Sequence, residues 1–131
     1  VGSIHGGTKH NIISDEVHMQ LTVRSYKAEV RKSLLTAIER IAKGVALTAG
    51  IPERLAPIVK FSPSYAPATY NDPTLTARLG AVLEKTLGKD RVFKADPVMG
   101  SEDFGFFGLE GHQIPGFYFF IGVFSPERSV E

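Results

Sequence analysis

Cysteine is absent from the 131 residues, which excludes a disulfide framework, a thiolate metal site and a cysteine nucleophile. An excess of either charge is absent too: fifteen basic residues face fourteen acidic ones, a formal charge of +1. The basic residues are scattered among the acids, so no long-range field argues for nucleic acid. Long apolar runs are also missing. The longest, Phe117 to Val123, falls far short of the roughly 20 residues that span a bilayer, and the first residues carry no charged-then-apolar signal pattern. Internal repeats and low-complexity tracts do not occur. No Gly-x-Ser-x-Gly elbow, phosphate loop or dinucleotide fingerprint can be found, since Gly105-Phe106-Phe107-Gly108 lacks the required glycine spacing. Serine hydrolase and nucleotide-binding readings fall away with them. Compartment is left open.

What is present has the proportions of a globular protein, 43% hydrophobic, 22% charged and 10% aromatic, enough to bury a core. Val1-Gly2-Ser3-Ile4 reads as a strand already under way, so a preceding segment is expected. Strict alternation follows the loop from His5, with Val17, Met19, Leu21 and Val23 on one face and His18, Gln20, Thr22 and Arg24 on the other, the pattern of a half-buried strand. From Tyr26 to Ala49, apolar residues recur at three- and four-residue steps. Ser25 is the candidate N-cap, Gly50 lies just past the end and Pro52 beyond it, which predicts an amphipathic helix of about six turns. Ile58 to Ser62 is a short strand candidate. The proline-rich stretch Pro63 to Pro67 reads as a connector, with a domain boundary near Ala68.

A second helix is signalled by Asn71-Asp72 as cap, Pro73 at the first helical position and a stripe of Leu75, Leu79, Val82, Leu83 and Leu87 that ends at Gly88. Arg91 to Ala95 reads as a strand, and Pro97 to Phe104 as a polar, glycine-containing turn. Phe117 to Val123, apolar on both faces, suits the middle of an α/β sheet. Of the four histidines, His5, His10, His18 and His112, no pair has the helical or short-strand spacing of a convincing zinc site. Glu102 and Asp103 could be an acid/base pair, but adjacent acids in a turn more commonly accept the free amides of a helix N-terminus.

Set in order, five motifs carry a resemblance. They are Gly6-Gly7-Thr8-Lys9-His10-Asn11-Ile12-Ile13-Ser14-Asp15, Leu21-Thr22-Val23-Arg24, Tyr70-Asn71-Asp72-Pro73, Met99-Gly100-Ser101-Glu102-Asp103-Phe104 and Pro115-Gly116-Phe117. Together they resemble the di-metal peptidase family of hippurate hydrolases, aminoacylases, deacylases and glutamate carboxypeptidases, most nearly its amidohydrolase branch. The resemblance implies an α/β protein in two parts: residues 1–67 as the later portion of a ferredoxin-like α+β lid that mediates dimerisation, and residues 68–131 as a piece of the α/β catalytic domain. It implies hydrolysis, by the full-length protein, of the amide bond in an N-acyl amino acid or small peptide. Two zinc or similar divalent ions are implied there.

On the same resemblance, Asn11 sits on a lid loop reaching a neighbouring subunit's active site, Arg24 holds the substrate carboxylate, and Gly100 and Ser101 contact that carboxylate beside the metals. The chemistry of the residues agrees, because a planar guanidinium matches a carboxylate in bidentate fashion and consecutive amides make an anion-binding nest. An arginine at a strand edge paired with a surface acid is the plain alternative for Arg24. Glu102 and Asp103 are expected to be structural. No catalytic residue and no metal ligand of the family is matched within the chain, and Phe124 to Glu131 holds no counterpart of its last metal histidine, so no bound metal and no activity are expected of these residues alone. The family's usual Asn-Val-Ile-Pro reads Asn11-Ile12-Ile13-Ser14 here, which loosens the turn that aims Asn11. The competing reading is a non-catalytic binding or dimerisation module derived from the family.

Overall fold

A computed structural model describes residues 1–109 and 114–123. It divides into two compact units, Val1–Phe61 and Ser62–Glu131, and the described residues form a mixed α/β set of two strands, two α-helices and three 3-10 turns. No described helix is long and apolar enough to cross a membrane.

In the first unit, β1 (Ser3–Gly6) pairs with β2 (Val17–Gln20) in an antiparallel ribbon that sets Ser3 opposite Gln20, Ile4 opposite Met19, His5 opposite His18 and Gly6 opposite Val17. The expected strand through Arg24 therefore stops at Gln20. The ladder runs from Gly6 opposite Val17 to Ser3 opposite Gln20 and closes with Gly2 N–H to Gln20 O at 2.8 Å, after which residues 21–27 leave it as the connector to the next helix. Nor is the strand half-buried. All four of its residues are exposed, because a two-stranded ribbon has no second layer of its own.

Helix α1 spans Ala28–Thr48, two residues later than the expected start. Its N-cap is Lys27, which offers no side-chain cap, and Ser25 donates its hydroxyl to Lys27 O at 3.3 Å instead of capping an amide. The C-terminus closes as the sequence predicts. Gly50 takes φ 71°, its N–H bonds to Leu47 O, and Ile51 N–H bonds to Ala46 O, each at 3.0 Å. That pair of bonds satisfies two otherwise orphaned carbonyls, and the left-handed position suits a residue without Cβ. The amphipathic stripe exists but is uncovered, since Val30, Leu34, Ile41 and Val45 are all exposed and only Ala46 is buried.

The second unit opens on an irregular stretch and then helix α2, Pro73–Leu87. Its cap is as expected, with the Asp72 carboxylate accepting Leu75 N–H at 2.7 Å and Pro73 in the first turn. A 3-10 turn at Lys89–Arg91 packs back on α2, and another covers Phe104–Gly108.

None of the other three expected strands forms. Residues 58–62, 91–95 and 117–123 lie outside any ladder, Arg91 belongs to the 3-10 turn, and Ile58 and Phe93 are more than four-fifths exposed. Apolar composition reports β-propensity, whereas a strand needs a partner backbone. The described residues offer none.

Candidate functional site

Asn11 lies in the loop from β1 to β2, within a turn closed by Ile12 N–H to Lys9 O at 3.3 Å. It is exposed, as is the loop around it. Ser14 fixes the chain here with hydrogen bonds: its hydroxyl donates to Glu16 O at 2.5 Å and accepts Glu16 N–H at 3.3 Å, a serine turn made by local bonding. Arg24, also exposed, comes four residues after β2 ends, so it is placed by the connector to α1 and not by strand alternation.

Gly100 and Ser101 belong to the second unit, on the exposed stretch ahead of the 3-10 turn. A Cβ at Gly100 would make only an ordinary 3.9 Å contact with Val98, so its backbone is open on that side. Beside it, the Glu102 carboxylate accepts Phe104 N–H at 2.6 Å and Gly105 N–H at 3.3 Å. This is the structural task expected of an acid ahead of a helical turn. Asp103 occupies the N-cap position without a side-chain bond.

The densest part of the unit is assembled from three of the motifs. Asn71 reaches 47 residues along the chain, accepting Tyr118 N–H at 2.7 Å and donating to Tyr118 O at 2.8 Å. Its amide thus serves Tyr118 as a neighbouring strand would. Asp72 N–H adds a bond to Gly116 O at 2.9 Å, and Ile114 N–H one to Phe107 O at 3.1 Å. Phe104 stacks obliquely on Phe107 and Tyr118 with ring centres 5.5 and 5.6 Å away.

Two glycines make the approach possible. A Cβ at buried Gly105 would fall 2.9 Å from Pro67 O and 3.2 Å from Ala68 O, and one at Gly116 would meet Phe104 Cε1 at 3.1 Å. Where these segments meet they line a half-open hollow of about 270 Å³ bounded by Tyr70, Asp72, Phe104, Leu109, Ile114 and Pro115, among others. That is just below the usual range for small-molecule pockets.

The sequence pointed to Asn71 as a cap, yet the helix is capped by Asp72 and Asn71 works as a clamp. No local pattern signals that role; the only hint was that Tyr70-Asn71-Asp72-Pro73 and Pro115-Gly116-Phe117 both belonged to the set of motifs. Among the described residues no three His, Asp or Glu side chains come together in a way that could hold a metal ion. His112 and the segment Phe124 to Glu131 lie outside the described residues.

Comparison with known proteins adds an independent line. The model of a family described as peptidase family M20/M25/M40 matches residues 7–129. Over 123 residues the chain is 34% identical to thermostable carboxypeptidase 2 of Saccharolobus solfataricus, covering 94% of this chain and 29% of that protein. Over 124 residues it is 37% identical to an N-acetyldiaminopimelate deacetylase of Leuconostoc citreum, covering 94% and 30%. The chain thus spans about 30% of the length of the curated relatives it matches. No solved structure matches it.

Proposed function

The chain belongs to peptidase family M20/M25/M40, and from that premise we propose that it supplies the substrate-orienting and self-association elements of a metal-dependent amidohydrolase that cleaves N-acyl amino acids or small peptides. The observation that carries the reading is the extent of the family match, which runs through both units and takes in Asn11, Arg24, Gly100 and Ser101. The names of the relatives support the substrate class, since a carboxypeptidase and an N-acetyldiaminopimelate deacetylase both work on an amide in a molecule that carries a carboxylate.

In this reading Arg24 clamps the substrate carboxylate through two parallel N–H bonds. In the second unit, the Gly100 and Ser101 amides and the Ser101 hydroxyl are assigned as donors to a substrate carboxylate, and in the first, Asn11 is assigned a substrate contact from the loop between the strands. Such contacts act by orientation, which can remove several kcal/mol of barrier when the amide is held in an attacking geometry. Among the described residues no group of three His, Asp or Glu side chains gathers as the di-metal centre would need, and the zinc or similar ions are assigned to the remainder of the full-length enzyme.

Residues 1–67 act in this proposal as part of a ferredoxin-like lid, and residues 68–131 as part of the catalytic domain. Homodimerisation through the lid belongs to the same proposal, with the apolar stripe of α1 at Val30, Leu34, Ile41 and Val45 as surface that either the rest of the protein or a second copy would cover.

Arg24→Ala in the full-length protein tests the central claim. A rise in KM and a fall in kcat/KM of about tenfold or more are expected for substrates with a free carboxylate, with little change for the corresponding carboxamides. An unchanged kcat/KM for the carboxylate substrates would remove Arg24 from the reading.

A further inference from the structure

The pairing of β1 with β2 brings together two residues that stand thirteen apart in sequence, His5 and His18, directly across the ribbon from each other. In an antiparallel pair, opposed residues project from the same face with Cβ atoms about 5 Å apart. The next opposed pair on that face, Ser3 and Gln20, makes contact, with the Ser3 hydroxyl 2.9 Å from Gln20 Oε1. Side chains on this face therefore do meet across the strands. Both imidazoles lie in solvent, and His18 is held only by Glu16, whose Oε1 is 3.2 Å from its Nε2, with the two side chains 72% and 76% exposed. An exposed pair of that kind restrains a ring weakly.

We propose that His5 and His18 form a two-imidazole site for a divalent transition-metal ion on the open face of the β1–β2 ribbon. Two rings about 5 Å apart at Cβ can turn their nitrogens onto one ion at about 2 Å each, with water filling the remaining positions. Imidazole donors select Cu²⁺, Ni²⁺ and Zn²⁺ over Mg²⁺ and Ca²⁺, which require oxygen. The ion joins the strands on the same face as the Ser3–Gln20 contact, and because it needs both strands in register it stabilises the paired ribbon over the open one. The site is separate from Arg24, Gly100 and Ser101 and does not depend on the amide chemistry proposed above.

The test is a Zn²⁺ titration of the full chain followed by the histidine ring resonances in NMR, alongside His5→Gln, His18→Gln and His10→Gln. The expected result is that the His5 and His18 rings shift together and saturate at one ion per chain, while Mg²⁺ at the same concentration moves neither. Each of His5→Gln and His18→Gln should weaken the apparent affinity about tenfold or more, since each removes one of two ligands, and His10→Gln should leave it within about threefold. Retention of affinity in either single variant, or shifts confined to His10 or His112, overturns the proposal.

Discussion

In the first unit, hydrogen bonds join near neighbours: α1 is bonded turn to turn, the ribbon is closed by a loop of ten residues, and the side-chain bond across it, Ser3 to Gln20, spans 17 positions. In the second, one amide side chain reaches 47 residues to Tyr118, and two glycines let backbones or rings come close where no Cβ fits. The first unit leaves its apolar stripe open, whereas the second gathers Phe107 and Tyr118 against Phe104, whose ring also lines a small hollow. Elements made by local bonds can form without deciding what they pack on. Elements made by distant polar clamps have already decided.

Substitution tests the contrast, and the clamp is where the greatest loss is expected. Asn71→Ala strips both bonds from Tyr118 and leaves a partly buried N–H and C=O without their partner, a loss of about 3 kcal/mol in stability. Urea unfolding followed by tyrosine fluorescence should show the midpoint fall accordingly, and an unmoved midpoint would mean that the clamp is incidental to the unit. Next comes Gly105→Ala, whose methyl must displace the Pro67 and Ala68 backbone, at about 2 kcal/mol. Amide exchange at Phe104 to Phe107 should quicken by about the same free energy. The smallest effect belongs to the first unit: Lys43 Nζ sits 2.7 Å from Glu39 Oε1 on the exposed face of α1, and Lys43→Ala should cost no more than about 0.5 kcal/mol, read from the helical circular dichroism on heating. A loss there equal to that of Asn71→Ala would erase the distinction between the units.

The same contrast explains what the sequence made legible. Helix α2 could be read almost to the residue, because Asp72, Pro73 and Gly88 act on amides and carbonyls within one turn of themselves. The end of α1 at Gly50 was legible for the same reason, and so was the task of Glu102. The start of α1 was not, since Ser25 bonds to a carbonyl and the helix begins beyond Lys27. Four strands were expected beyond β1 and only the first half of one, Val17–Gln20, forms, because alternation records which faces are apolar and is silent on which backbone lies alongside. His5 and His18 show the converse case: neither spacing nor composition pairs them, and only the ribbon's register does. Asn11, Arg24, Gly100 and Ser101 were singled out by motif, and all four lie on exposed connecting segments, where binding residues commonly sit.

The bond from Asn71 to Tyr118 also turns the chain between them into a fastened cassette. For a flexible closed loop the entropic cost of extra length grows only logarithmically, about 0.6 kcal/mol for each doubling. The exposed stretch 93–99 inside that cassette is therefore a place where residues can be added while the fastening holds. Lengthening there changes what is presented next to Gly100 and Ser101 without unbuttoning the fold, so the clamp separates the freedom to vary from the need to stay folded.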